Sequence, residues 1–278
     1  MEDVAEFWPG CSAFLVYENM NPRPSLFLRT VVLVYGAVSY AVFFVTFLYA
    51  AGFVGNFLVP RSIDSVPSVH VAAAVAIDVG LLMVFALQHS VMARPAFKRM
   101  LTRFLPVAAE RSTYVLMSSL ALIVLFRFWQ PIGGLVWQVD HPVGQALLHL
   151  GFACGWLTVL VTTFLINHFD LFGLRQVWLF FRGRPYAPLK FVTPGPYRWV
   201  RHPLYVGWLF AFWCTPHMTL AHLLFAVLTT AYILVAIRFE ERDLVTYHGD
   251  DYLEYRRRTP MLVPQPGRSK RIERTVAP

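Results

Sequence analysis

Long apolar runs dominate the sequence and determine the solvent in which it can fold. Four of them cover about residues 30–58, 69–91, 113–129 and 142–166, and a fifth covers 203–237. About 20 helical residues cross the hydrocarbon core of a bilayer, and helices are the default there because backbone groups must pair within the segment. Only 14% of the residues are charged, against roughly 25% in soluble domains. The sequence therefore predicts an all-α polytopic membrane protein.

The last apolar run is too long for one membrane span. It is interrupted at Thr215-Pro216-His217, where the proline removes a backbone donor and breaks the helix. We expect a helical hairpin with a short arm from Leu204 to Cys214 and a longer arm from Met218 to Ile237. This hairpin brings the total to about five or six transmembrane helices.

Basic residues predict the orientation of these helices. All of the 24 lysines and arginines except Arg61 and Arg127 lie near the N-terminus, in alternate loops or in the C-terminal tail. By the positive-inside rule these segments, and both termini, face the cytoplasm. The net charge of +8 thus lies in short segments between apolar runs. This layout favours a lipid bilayer as partner and excludes a nucleic-acid surface.

Three polar clusters fall on the predicted cytoplasmic side. The first contains His168, Asp170 and Arg175 after the fourth helix, the second covers residues 194–207, and the third begins at Glu240. Because the helices that carry them end on the same side, we expect the clusters to converge into one polar pocket at the membrane surface.

The residue types in this pocket suit a zwitterionic, nucleoside-bearing cation. Pro203 would begin a helix, whose first free N–H groups, including that of Tyr205, favour a carboxylate. Arg201 adds a positive donor, and Glu240 and Glu241 add acceptors for ribose hydroxyls or an amino group. Aromatic faces for an adenine ring or a sulfonium come from Tyr197, Trp199, Tyr205 and Tyr252. Taken singly, these residues also fit boundary charges, an Arg238–Glu241 helix pair or an aromatic belt.

The order of these motifs resembles the C-terminal half of isoprenylcysteine carboxyl methyltransferases and phospholipid N-methyltransferases. Gly195-Pro196-Tyr197 precedes residues 201–207, and Glu240-Glu241 precedes Tyr252 and Tyr255. The resemblance implies S-adenosylmethionine as cofactor. It places His202, Pro203, Tyr205, Gly207, Glu240 and Glu241 around the cofactor, with Tyr197, Arg201 and Tyr252 in support.

A resemblance over nearly the whole chain involves residues 88–95, 110–114, 167–176 and 215–219. These segments are similar to the bacterial methanethiol S-methyltransferases, in the NnrU-like group, which convert methanethiol to dimethyl sulfide. The resemblance implies a small thiol acceptor and a bacterial inner membrane. Another thiol, an isoprenylcysteine or a lipid is the alternative acceptor.

These patterns divide the chain into three parts. Residues 1–166 carry the first four transmembrane helices. Residues 167–264 form the methyltransferase core, with the cofactor loop, the hairpin and a C-terminal cap. Residues 265–278 are polar and basic, a composition typical of a disordered tail.

Methylation of a thiol needs a thiolate close to the methyl group. Because a thiol with a pKa above about 8 is mostly protonated at neutral pH, a base or a positive field is required. His168 and His202 are the candidate bases, Asp170 would orient one of them, and Arg175 would stabilise the thiolate. We assign His202 to the cofactor, and His168, Asp170 and Arg175 to the acceptor.

Other readings stay open at this point. Two facing histidines could hold a haem, and topology alone permits a transporter. The sparse cysteines and histidines predict no metal site. Gln88 and His89 fit either support of the site or contacts between helices. Asp78, an acid inside a helix, is expected to pair with a hydroxyl such as Ser118 or Ser119.

Overall fold

The computed structural model describes residues 24–189 and 192–265. Most of the predicted tail, residues 265–278, therefore lies outside the described residues. Within the described residues the chain forms ten α-helices and one small sheet. The helices are α1 (Leu26–Gly55), α2 (Val71–Met92), α3 (Pro95–Leu101), α4 (Glu110–Phe128), α5 (Pro142–Ile166), α6 (His168–Leu171), α7 (Leu174–Phe181), α8 (Pro203–Trp213), α9 (Leu220–His248) and α10 (Asp250–Arg258), and the strands are β1 (Leu135–Gln138) and β2 (His217–Thr219).

Five helices are long and apolar enough to cross a membrane, namely α1, α2, α4 with the 3-10 turn that precedes it, α5 and α9. Their outward faces carry exposed large apolar side chains such as Val45, Leu87 and Leu157. A soluble protein rarely exposes such wide apolar surface, whereas a bilayer accommodates it. The predicted all-α membrane architecture is confirmed.

Local sequence explains where the spanning helices begin and end. The Ser25 hydroxyl accepts the Leu28 N–H at 3.2 Å at the start of α1, and Asn56 ends that helix in the left-handed conformation, with φ of 59°. Proline occupies the first position of α5 and of α8, where its missing donor leaves no hydrogen bond unmade. The fourth predicted span matches α5 at both ends.

The hairpin is present, with two differences from the prediction. Between its arms, β2 pairs antiparallel with β1, so the proline-broken tip is anchored to the loop before α5. The second arm does not end near Ile237. Instead, α9 runs on as a charged helix to His248, which carries Glu240 and Glu241 past the apolar segment.

Two glycines allow a close contact between helices in the C-terminal half of the molecule. A Cβ atom added to Gly207 on α8 would lie 2.9 Å from the carbonyl oxygen of Gly155 on α5, and one added to Gly155 would lie 2.5 Å from the Ala211 nitrogen. Such distances leave no room for a methyl group. The two backbones therefore touch, and α8 is fixed against α5.

The buried acid on α2 does not have its expected partner. Asp78 Oδ1 accepts the backbone N–H of Gln130 at 2.8 Å, whereas Ser119 donates to the Val115 carbonyl and Ser118 lies against His89. The prediction of a serine partner was wrong because Asp78 lies level with the end of α4, where Gln130 has left the helix and offers a free N–H.

A second acid joins the far loops to the hairpin. Asp64 accepts hydrogen bonds from the Thr219 hydroxyl and from Asn56 Nδ2 at 2.7 Å, and its Oδ2 lies 3.8 Å from Nδ1 of buried His222. Burial alone would raise the pKa of Asp64, but the nearby His222 ring and the hydrogen bonds from Thr219 and Asn56 outweigh it and hold the pKa below its usual value.

Candidate active site

The predicted clusters gather at one end of the bundle, which we call the polar end, where α2 and α5 finish and α4 and α8 begin. Arg111 Nε on α4 donates to the Leu171 carbonyl at 2.7 Å. Arg94, just after α2, pairs with Asp243 on α9 at 3.3 Å. These contacts tie the N-terminal helices to both halves of the C-terminal region.

A glutamate centre, formed by Arg201, His202, Tyr205, Glu240 and Glu241, lies where α8 begins beside α9. Glu241 Oε1 accepts from Arg201 Nε at 2.7 Å and contacts His202 Nε2 at 3.1 Å. Glu240 Oε2 accepts from the Tyr205 hydroxyl at 2.9 Å and lies 3.8 Å from His202 Nδ1. His202 is thus held between two carboxylates. The Arg201 and Glu241 side chains are only 11% and 14% exposed, whereas Glu240 is 45% exposed, so Glu240 can meet a ligand.

The segment after α10 closes over this centre. Arg201 donates from its guanidinium to the carbonyls of Arg256 and Thr259, at 3.0 and 2.6 Å, and from its backbone N–H to the Pro260 carbonyl at 2.9 Å. Arg201 therefore connects the start of α8, α9 and the C-terminal cap. Replacement of the Arg201 side chain would remove the hydrogen bonds that link these three elements.

Tyr197 and Tyr252 of the predicted site pack where the C-terminal cap meets the loop before α8. Tyr252 is 1% exposed, and the Tyr255 hydroxyl donates to the Tyr197 carbonyl at 2.6 Å. Burial, reinforced by Glu240 beside Tyr197 and by Glu241 beside Tyr252, raises the pKa of both Tyr197 and Tyr252. Their hydroxyls are therefore neutral hydrogen-bonding groups at physiological pH.

Two of the predicted cofactor positions have other neighbours. Gly207 faces α5, in the helix contact described above. The Tyr205 N–H, which we expected to be free for an anion, bonds to the His202 carbonyl at 3.1 Å. Pro203 is buried at the first position of α8, where it orients the helix start. At this helix end the contacts to a ligand must come mainly from side chains.

His168 is the centre of a second, aromatic group. Its Nδ1 lies 2.8 Å from the Thr163 hydroxyl and its Nε2 lies 2.8 Å from the Tyr40 hydroxyl. The ring stacks on Phe164 at 4.1 Å and is 2% exposed. Burial lowers the pKa of His168, so the imidazole is neutral at neutral pH.

Asp170 does not contact His168. Its carboxylate pairs with Arg175 at 2.7 Å and accepts from the Tyr186 hydroxyl at 3.2 Å, and the Arg175 guanidinium lies over the Tyr186 ring. Burial and the neighbouring Asp170 charge raise the pKa of Tyr186 to about 12. The Asp170–Arg175 pair orders the turn between α6 and α7. The expected contact between Asp170 and a histidine is not formed among the described residues.

The structure thus separates the predicted residues into two groups. His202, Arg201, Tyr205, Glu240 and Glu241 share hydrogen bonds, while His168, Asp170 and Arg175 lie along α6 and α7. Among the residues described, His168 shares no hydrogen bond with the glutamate centre. The loop before α8 lies against the end of α5, since a Cβ on Gly195 would lie 3.3 Å from the Leu165 side chain.

A third polar group, which we did not assign from the sequence, lies between α2 and α4. His89 contacts the Tyr114 hydroxyl at 2.8 Å through Nε2 and the Ser118 hydroxyl at 3.1 Å through Nδ1. Tyr114 and Ser118 lie four apart on one helical face, a spacing that would have indicated a shared partner.

Comparison with known proteins finds similarity over most of the chain. Residues 146–250 match the family model of phospholipid methyltransferases. The chain is 58% identical to the methanethiol S-methyltransferase of Crocosphaera subtropica, over 86% of this chain and 94% of that protein. It is 52% identical to that of Mycobacterium tuberculosis, over 86% and 98%.

A more distant likeness reaches an animal protein. Nurim of Xenopus laevis is 32% identical over 65% of this chain and 66% of that protein. No solved structure matches the chain. With identity above half over most of both chains, this protein belongs to the family of methanethiol S-methyltransferases.

Proposed function

We propose that this protein transfers a methyl group from S-adenosylmethionine to methanethiol and releases dimethyl sulfide. The observation that carries the proposal is the likeness to proteins named methanethiol S-methyltransferase, which extends over 86% of the chain. The glutamate centre lies within the segment that matches the methyltransferase family model.

The chemistry of the glutamate centre fits the cofactor. A sulfonium and an ammonium group are both positive, and Glu240 offers a half-exposed carboxylate that would attract either. The Tyr205 ring adds an aromatic face for cation–π attraction. Arg201, His202 and Glu241 would hold this surface in place, since they bond to each other. In this proposal Tyr197, Pro203, Gly207 and Tyr252 support the site through packing.

The bound cofactor supplies an electrophilic methyl group on a positive sulfur. The protein's contribution is to align a thiolate behind that methyl group and to exclude water. Alignment of two reactants can supply on the order of 7–11 kcal/mol in the best cases. His168, a neutral imidazole near the end of α5, is one candidate to take the thiol proton, and Arg175 is a candidate to stabilise negative charge.

We also propose that the polar end faces the cytoplasm of a bacterial inner membrane. Basic residues gather at this end, among them Arg94, Arg111, Arg175 and Arg201, while β1 and β2 mark the opposite end. S-adenosylmethionine is made inside cells, so this orientation would give the site direct access to it.

A lipid or prenylated acceptor is the second candidate, since the matched family model is that of phospholipid methyltransferases. Such an acceptor is long and would enter from the bilayer. Methanethiol, in contrast, needs only a small apolar space.

The test is detection of dimethyl sulfide above purified protein supplied with S-adenosylmethionine and methanethiol, with a His202→Ala variant beside it. Product from the wild type and its loss in the variant would support the reaction and the site together. Product formed only with longer thiols or lipids would keep the methyltransferase and reject methanethiol. Failure with every acceptor would reject the proposal.

A further inference from the structure

The third polar group contains a histidine that the proposed function does not use. His89 lies on α2, with its Nε2 2.8 Å from the Tyr114 hydroxyl and its ring stacked beside Phe85 at 5.3 Å. Its Nδ1 lies 3.1 Å from the Ser118 hydroxyl and also 3.1 Å from the Tyr114 hydroxyl. If Nδ1 donates to Ser118, then Nε2 carries a lone pair that faces the Tyr114 hydroxyl. That arrangement is a base joined to a phenol.

This group lies against α9, the helix that carries the two glutamates. Tyr232 on α9 contacts the Ser90 hydroxyl at 3.2 Å and meets the Phe85 ring edge-on. Beyond Tyr232, α9 continues to Glu240, which accepts from the Tyr205 hydroxyl. The histidine therefore lies beside the part of α9 that leads to the proposed cofactor surface.

We propose that Tyr114 and His89 form the proton relay for the acceptor thiol, with Tyr114 touching the thiol and His89 acting through it. This inference rests on the proposed function. The Tyr114 side chain is half-buried between α2 and α4, so a ligand as small as a methylthiol can reach it. His168 has matching contacts from Thr163 and Tyr40 but is only 2% exposed, whereas His89 is half-buried.

The relay moves two protons as one methyl group is transferred. The thiol S–H bond breaks and its proton passes to the Tyr114 oxygen, while the Tyr114 proton passes to His89 Nε2, which becomes positive. The thiolate pair forms the new S–CH3 bond, and the pair of the old bond returns to the cofactor sulfur, giving S-adenosylhomocysteine. The proton then leaves to solvent.

Charged neighbours favour release of that proton. The Arg111 guanidinium lies over the Tyr114 ring at 5.2 Å and acts on His89, while Glu110 and Arg94 act on Tyr114. A second positive charge beside Arg111 is disfavoured. The relay is therefore reset after each turnover.

The test compares dimethyl sulfide formation between pH 6 and 10 in wild type, His89→Gln and Tyr114→Phe, with saturating S-adenosylmethionine. Tyr114→Phe keeps the ring and removes only the hydroxyl. We expect both variants to lose about 10²-fold or more in kcat at pH 7, the usual contribution of acid–base catalysis. Their rates should continue to rise about tenfold per pH unit toward the pKa of the thiol, whereas the wild-type rate levels off.

Two further variants sharpen the comparison. His149→Gln, an exposed residue on α5, controls for loss of an unrelated histidine and should match wild type. His168→Gln should keep the wild-type shape of the pH profile, whatever its rate. An unchanged profile in His89→Gln and Tyr114→Phe, or an altered one in His168→Gln, would overturn the relay. Absence of product from wild type would instead reject the proposed function beneath it.

Discussion

At the residue scale, the glutamate centre depends on one carboxylate with two partners. Glu241 accepts from Arg201 and contacts His202, and both members of the Arg201–Glu241 pair are largely buried. Removing one partner of such a pair leaves the other charge poorly compensated. Glu241 therefore helps to hold His202 in its position between the two glutamates.

We expect Glu241→Gln to weaken S-adenosylmethionine binding about 10- to 100-fold, since hydrogen bonds to charged groups contribute about 1.5–3 kcal/mol. Isothermal titration calorimetry of the detergent-solubilised protein measures the effect. Glu254→Gln is the matched control, because Glu254 forms an exposed i,i+4 pair with Arg258 on α10 that contributes little. Equal affinity of the Glu241 variant and wild type would remove the glutamate centre from the cofactor site.

Residue identity was easier to predict than residue pairing. The sequence picked out Arg201, His202, Tyr205, Glu240 and Glu241, because polar groups beside long apolar runs are conspicuous. It did not reveal that Arg201 pairs with Glu241, forty positions later, because that contact depends on how α8 and α9 pack. Asp170 was expected beside a histidine but pairs with Arg175, five positions later, because the turn between α6 and α7 brings these two side chains together.

At the scale of elements, α8 is too short to cross a bilayer by itself. Its position is determined by packing against its neighbours. Gly207 and Gly155 bring its backbone against α5. The apolar spans were predictable because hydropathy is local, and α5 matches its prediction at both ends. The β1–β2 pairing was not predicted, because strands this short form only through tertiary contacts. The extension of α9 beyond its apolar segment was not predicted either.

We expect Gly207→Ala to destabilise the fold by about 1–3 kcal/mol, since the added methyl would meet Gly155 and Val159 at 2.9 Å. Gly80→Ala is the matched control, because a Cβ there meets nothing within 4 Å and alanine favours helix. Thermal unfolding in detergent should give a lower Tm for the first variant only. Equal Tm values would show that α8 can move away from α5.

The cluster around Asp64 should make the hairpin sensitive to acid. The pKa of Asp64 is lower in the folded protein than its usual value, so its stabilising contribution is complete above the unfolded pKa of about 3.9 and is lost as pH falls through the folded value. Asp64→Asn should therefore lower the Tm at pH 7, and the difference from wild type should shrink toward pH 3. A difference that stays constant across this range would contradict the assignment.

At the scale of the whole molecule, the basic residues and the proposed site share one end of the bundle. The proposed topology puts the polar end inside the cell, with Asp140 in the loop before α5 outside and Arg184 after α7 inside. The apolar outer surface fixes the protein in the bilayer but does not choose between the two orientations.

Labelling of single cysteines tests this topology in intact cells. In a background where Cys11, Cys154 and Cys214 are replaced by alanine, we expect Asp140→Cys to react with a membrane-impermeant maleimide. Arg184→Cys should react only after the cells are opened. The reverse labelling pattern would show that the polar end faces the outside of the cell and would contradict the proposed cytoplasmic site.

The central claim is direct methyl transfer from S-adenosylmethionine to a small thiol at the polar end. The decisive measurement uses purified protein, methanethiol and S-adenosylmethionine with a deuterium-labelled methyl group, with mass spectrometry of the headspace. The account predicts dimethyl sulfide that carries one labelled methyl group, formed in equal amount with S-adenosylhomocysteine. Unlabelled dimethyl sulfide, or S-adenosylmethionine recovered intact, would contradict it.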